Sequence, residues 1–326
     1  MNIHSNLGAD RPSDLVASVP YLLGYHPTDS LVVVTTDDER SDLVGAVFRI
    51  VLPSRADETY TVAELLRLVW SSDVVEASLV VISDPQADQP PEPLPRADFV
   101  RHLSSALSDS GVVVNCEVWA AATRKGAPWR SYGEPDRHGF VPDPNATVIA
   151  AVTTLAGLVT YDSREQLAET LAPEAAPDVL DRRAKLLAAR ANGPVPDLAV
   201  LDAATERFER GDVELVDEDF AVLGTMLADP LMRDQWVGRC AGDRALAAER
   251  LTLSMVRGLP APWRAHAAAV CAFAAYVRGD GVLAGIAIAN ALEVDPDNKL
   301  ANLLRAALTR AIHPDSLREV LNEALS

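Results

Sequence analysis

The chain has 326 residues, with 29 Lys+Arg against 47 Asp+Glu, so its formal charge is −18, and 48% of its residues are hydrophobic. This is the composition of an acidic globular protein long enough for two domains, each with its own core. The acid excess runs through both halves and the only lysines are Lys125, Lys185 and Lys299. Nucleic-acid binding is therefore not expected, because it relies on clustered basic groups that neutralise phosphates.

The N-terminal residues Met1–Asp14 lack the basic and apolar regions of a secretory signal. The longest apolar run, Ala265–Val277, falls short of the roughly 20 residues of a bilayer span. No membrane association and a cytoplasmic location are the expectations, with the run read as a buried helix. Cys116, Cys240 and Cys271 are odd in number and widely spaced. They form neither a disulfide framework nor a Cys-x-x-Cys pair and read as core residues.

In chain order, Leu31–Thr36 and Leu43–Leu52 are apolar, β-branched strand segments separated by a polar hairpin-length turn, Asp37–Asp42. Thr61-Val-Ala-Glu64 reads as a capping box opening a helix through Leu65, Leu68 and Val69. Ser78–Ser83 is a short apolar strand, and the Pro-rich stretch Pro85–Pro95 is loop. Asp98–Ser108 places Phe99, Leu103, Ala106 and Leu107 at helical spacing, Gly111 ends that helix, and Val112–Ala120 returns as a strand. The order β-β-α-β-α-β predicts a mixed sheet covered by helices, since parallel neighbours need crossover connections.

Beyond residue 145 strand signals fade, and helices punctuated at Pro173, Gly193-Pro194, Gly211-Asp212, Pro230 and Gly258 are expected. The fold class is accordingly α+β or α/β, with a mixed-sheet domain over 1–145 and an all-helical domain over 146–326. Trp263–Arg278, the turn Gly279–Gly281, Val282–Val294, the break Asp295–Asn298 and Lys299–Ala311 close the chain, followed by a helix after Pro314. Leu300, Leu303, Leu304, Ala307, Leu308 and Ala311 share one predicted face, and Ser316 with Glu319 reads as a second capping box. With Pro296 as the closing proline, Ala284 and Ala291 fall on the small-residue positions of a tetratricopeptide repeat, so residues 263–326 resemble one degenerate repeat; Ala272 and Ala275 stand where glycine and tyrosine are usual. An antiparallel helix pair closing the domain explains the same pattern.

The segment Pro20-Tyr21-Leu22-Leu23-Gly24-Tyr25-His26-Pro27-Thr28-Asp29-Ser30-Leu31-Val32-Val33-Val34 is the most distinctive in the chain. With Trp129-Arg130-Ser131-Tyr132, Ala150–Gly157, Ser163–Leu167 and the 279–296 hairpin, it resembles an actinobacterial family known as domain of unknown function 4192. The resemblance spans nearly the whole chain and implies no activity. Members often carry Cys-Cys-Pro after the Trp-Arg-Ser-Tyr motif, where this chain has Glu134–Gly139, so metal or redox chemistry by those cysteines does not transfer.

Two readings of the Gly24–Ser30 loop are open. Asp29 and Ser30 accept backbone N–H groups and shape the entry to the strand, or they face a cleft with His26 and orient a ligand or water. Likewise Arg130 between Trp129 and Tyr132 either clamps a carboxylate or phosphate or pairs with a nearby acid while the aromatics cover the sheet end. His138, Asp136 and Asp143 are weak metal candidates, and no P-loop, Gly-x-Gly-x-x-Gly, His-Glu-x-x-His or complete calcium loop is present. No cofactor and no metal are expected. The ligand-binding candidates are His26, Asp29, Ser30, Trp129 and Arg130. A binding or regulatory protein without catalysis, meeting a protein partner through its helical part, is the first expectation. A small-molecule enzyme, a hydrolase among the options, using the Gly24–Ser30 loop and Trp129–Arg130, is the second. Convergence of His26, Asp29, Ser30, Arg49, Trp129 and Arg130 on one concave pocket would favour the enzyme or a small-ligand site, and their dispersal with satisfied partners would count against both.

Overall fold

A computed structural model of the chain describes residues 11–37, 45–70 and 74–325. The chain divides into two units, residues 1–166 and 167–326.

The first unit opens with helix α1, Pro12–Leu23, which the strand and turn signals did not predict. Its limits are nevertheless written locally: Pro12 stands at a position that needs no amide hydrogen, and Gly24 closes the helix with φ of 77°, a left-handed conformation that glycine adopts without steric cost. Pro20 inside the helix hides it from a propensity reading. There follow β1 Ser30–Asp37, β2 Val47–Val51, α2 Glu58–Trp70, β3 Val74–Ile82, α3 Ala97–Asp109 and β4 Val113–Ala120. This is the expected β-β-α-β-α-β order. The turn expected at residues 38–42 and the start of the second strand at Leu43 lie outside the described residues.

Two short strands, β5 Pro128–Ser131 and β6 His138–Phe140, extend the sheet and were not expected. They are too short for an alternation pattern to register. The sheet order is β2-β1-β3-β4-β5-β6, with β3 and β4 parallel and every other neighbouring pair antiparallel. On one face Leu31, Val33, Leu79, Val81 and Trp119 pack with Val62, Leu65 and Val69 of α2 and Phe99, Leu103 and Leu107 of α3. The alternate residues Val32, Val80 and Val118 are buried as well. Central strands apolar on both faces belong to a sheet covered on both sides. The capping box at Thr61 is not formed: α2 begins one turn earlier, at Glu58, and the Thr61 hydroxyl donates to the Asp57 carbonyl.

The unit ends with α4, Val148–Leu155, capped by Thr147, which accepts from the Ala150 amide. The helix packs on α1, and Tyr161 exchanges backbone hydrogen bonds with Gly24 and His26. The first unit runs to Gln166. Helix α5, Arg164–Glu169, spans the division.

The second unit contains α6 Pro177–Arg190, α7 Leu198–Glu209, α8 Asp217–Ala228, α9 Pro230–Ala241, α10 Ala245–Gly258, α11 Trp263–Val277, α12 Gly281–Val294, α13 Lys299–Thr309 and α14 Pro314–Leu325. The breaks fall at the Pro and Gly punctuation, and Pro230 sits in the first turn of α9 behind the capping carboxylate of Asp229. Helix α11 is the core of this unit: Ala265 and all of residues 267–277 are buried, with α9, α10, α12 and α13 packed around it. Its alanines permit that close approach. The Trp236 indole donates to the Thr252 hydroxyl at 2.8 Å, and Arg278 holds Glu249 through two bonds of 3.0 and 2.8 Å, whereas Nε of Arg257, Nδ1 of His266 and Oδ1 of Asn290 are buried with no hydrogen-bond partner among the described residues.

Two sequence readings fail at this end. Leu303 is 61% exposed, and α13 buries Ala301, Leu304 and Ala307 instead of the full predicted stripe. Ser316 lies inside α14, which starts at Pro314, so it does not cap the helix. All three cysteines are buried and free. Among the described residues no helix is long and apolar enough to cross a membrane.

Candidate functional site

The loop between α1 and β1 is fixed at both ends by backbone. Beyond Gly24, the Tyr161 amide donates to the Gly24 carbonyl at 2.8 Å and the His26 amide donates to the Tyr161 carbonyl at 3.0 Å, forming a parallel bridge of Tyr25 with Tyr161. At the strand end, the Leu52 amide donates to the Asp29 carbonyl at 2.9 Å. The loop therefore lies where β1 begins, opposite the end of β2 and beside the carboxyl ends of β3 and β4. Ser30 pairs with Ile82 and Ile82 with Ala120. The carboxyl edge of parallel strands is where open sheets place their ligand crevices.

Side chains then organise the loop. Ser30 is fully buried; its hydroxyl donates to the Thr28 carbonyl at 2.6 Å and accepts from Nε of Arg49 at 2.8 Å. His26 pairs through Nδ1 with the hydroxyl of buried Thr123 at 2.7 Å, which fixes the ring. Burial, and next the nearby Arg124 cation, hold the His26 imidazolium below its ordinary pKa, so the ring is neutral at pH 7. Tyr25 is 2% exposed, and its hydroxyl has no hydrogen-bond partner among the described residues. Burial raises its pKa, while the charges of Arg49 and Arg164 act against that rise.

Around these groups lies an open cavity of about 420 Å³, walled by Tyr25, His26, Thr28, Arg49 and Val51 on one side of the sequence and by Ser163, Arg164 and Glu165 on the other. Apart from the Nε bond to Ser30, the Arg49 side chain makes no hydrogen bond or ion pair with any described residue, and the Arg164 side chain makes none at all. Glu165 is exposed; its carboxyl is held below the usual range first by its own backbone amide and the Ser163 hydroxyl, with Arg164 and Arg49 adding to the effect.

The sequence candidates thus separate. His26 lines the cavity, and Ser30 supports it from beneath Arg49. Asp29 is exposed and has φ of 44°; its carboxylate accepts no hydrogen bond among the described residues, so its carbonyl and backbone shape the turn. Trp129 and Arg130 do not line the cavity. In register Trp129 follows Ser30, Ile82 and Ala120 across the sheet, three strands away, and its indole lies over Gly139 of β6. Arg130 donates to the Pro135 carbonyl at 3.0 Å and approaches Glu92 at 3.9 Å.

Ser30 is not arranged as a nucleophile, because its proton is directed at a carbonyl and the hydroxyl is buried. Among the described residues no three His, Cys, Asp or Glu side chains are grouped to hold a metal ion. Tyr25 and Arg164 are wall residues that the sequence reading quoted within motifs but did not select. The presence of Tyr25 in the 20–34 segment and of Arg164 in the 163–167 segment was the available signal.

No curated protein and no solved structure matches the chain. Residues 12–315 match the model of a family described as Domain of unknown function (DUF4192), and the chain belongs to that family.

Proposed function

We propose that the first unit is a small-molecule binding module whose ligand enters the cavity between the Gly24–Ser30 loop and Ser163–Glu165, and that the protein works by binding rather than by catalysis. The observation that carries this reading is the assembly of one cavity from segments more than a hundred residues apart, with hydrogen-bonding side chains at its wall. Ser30 and Thr123 hold Arg49 and His26 in place before any ligand arrives. Such preorganisation lowers the entropy lost on binding.

The test is a thermal-shift screen of a small-molecule library against the full chain and a cavity-filling variant, Thr28→Trp. Thr28 is exposed, so the larger side chain is accommodated without disturbing the core. Ligands that raise the melting temperature of the parent and not of Thr28→Trp support the cavity as the binding site. A library whose active members stabilise both proteins equally, or that has no active members, refutes the reading.

A further inference from the structure

Resting on that reading, we infer that the group recognised in the cavity is an oxyanion, a phosphoryl or carboxylate group, gripped by Arg49 and Arg164. The first argument is charge accounting. With 47 acidic against 29 basic side chains, most described arginines form an ion pair, although others, such as Arg55, Arg233 and Arg250, form none. Arg96 pairs with Glu58, Arg101 with Asp98 and Arg124 with Asp162. Arg49 and Arg164 pair with no described carboxylate, and both stand on the wall of the same cavity. The Glu165 carboxylate on that wall feels both charges but forms an ion pair with neither, so one carboxylate faces two guanidinium groups and an added anion would relieve their mutual repulsion.

The second argument is geometric. Nε of Arg49 is tied to the buried Ser30 hydroxyl, whose own proton points to the Thr28 carbonyl. The hydroxyl must therefore act as acceptor toward the arginine, which fixes the guanidinium plane and leaves both Nη groups for a ligand. A planar fork held in this way suits the two oxygens of a carboxylate or phosphate, whereas a lysine would offer only a point charge.

The third argument is the Tyr25 hydroxyl. It is buried, unpartnered among the described residues and close enough to Arg49, Arg164 and Glu165 to sense their charges. A buried donor without a partner calls for an acceptor, and a bound oxyanion supplies one. The wall thus offers an excess of donors, with Glu165 its one carboxylate. The net charge of −18 and the size of the cavity favour a small anion over a long polyanion.

The experiment is calorimetric titration of the full chain with inorganic phosphate and, separately, with succinate, at low and high salt. The proteins are the parent, Arg49→Gln, Arg164→Gln, Thr28→Trp and, as control, Arg101→Gln. Arg164 is exposed, so its variant folds even if loss of the Arg49 to Ser30 bond disturbs the other. At least one probe should bind the parent. Its affinity should weaken with salt, fall roughly tenfold or more in Arg164→Gln, the scale of one lost charge-assisted bond, and stay unchanged in Arg101→Gln. Tighter phosphate binding identifies a phosphoryl group and tighter succinate binding a carboxylate. Binding of neither probe, or equal binding by the parent, Arg49→Gln and Arg164→Gln, overturns the inference. A neutral library molecule excluded by Thr28→Trp, with no anion binding, would overturn the anion assignment and leave the cavity reading standing. Anion binding that survives Thr28→Trp would overturn both.

Discussion

Replacing Ser30 with alanine separates a structural hydroxyl from an ornamental one. Ser30 is fully buried and its oxygen serves two partners, donating to the Thr28 carbonyl and accepting from Arg49. The neutral bond contributes about 1 kcal/mol and the bond to the guanidinium about 1.5 kcal/mol, the lower end for a charged group because Arg49 is only partly buried. Thr28 is exposed and its carbonyl regains water, so the expected net loss is about 1.5–2.5 kcal/mol. For a unit of this size that corresponds to a fall of roughly 4–8 °C in melting temperature. Urea unfolding followed by circular dichroism measures the loss directly. Asp29 supplies the contrast, since its cost comes from backbone and not from a side-chain bond. With φ of 44°, Asp29→Ala should cost about 1 kcal/mol, Asp29→Asn should be near neutral and Asp29→Gly should be neutral or stabilising. A Ser30→Ala variant within about 0.5 kcal/mol of the parent, or equal stabilities for Asp29→Ala and Asp29→Gly, would refute this account of the loop.

Two further outcomes follow from burial. His26 and His266 both have imidazolium pKa values lowered chiefly by burial. The unfolded chain therefore binds more protons once pH drops below about 6.5, and the stability present above that pH is lost as pH falls toward the lowered folded values. Asp217, held low by its bonds to Arg183 and Arg182, contributes its own loss only at more acid pH. Urea midpoints between pH about 7.5 and about 5.5 should decline, and the double variant His26→Gln/His266→Gln should show a shallower slope; an equal or steeper slope contradicts the assignment. Burial also pushes the Cys116 and Cys240 thiols up to about 12 and the Cys271 thiol higher still. The native chain at pH about 8 should resist a thiol-reactive disulfide, and all three cysteines should react after denaturation. Rapid reaction of any native thiol would show that the packing around it is looser than described.

The sequence by itself determined what short-range physics determines. Apolar β-branched runs placed β1, β3 and β4; the spacing of Phe99, Leu103 and Leu107 placed α3; Pro and Gly set the breaks of the helical unit. These signals lie within a single element, so one window of sequence contains them. Signals of three or four residues, as in β5 and β6, lie below that threshold, and Pro20 disguised α1. The capping readings at Thr61 and Ser316 failed because a cap depends on where the preceding backbone enters the helix, which neighbouring elements decide. The loop from Gly24 to Ser30 was legible as a turn at a strand entrance. Tertiary structure alone brought Arg49 from β2 and Arg164 from beyond Tyr161 to that loop and left Trp129 and Arg130 three strands away. Pairing of Tyr25 with Tyr161 joins residues separated by 136 positions, and no local pattern encodes a contact whose partners meet only when the sheet and its covering helices have packed.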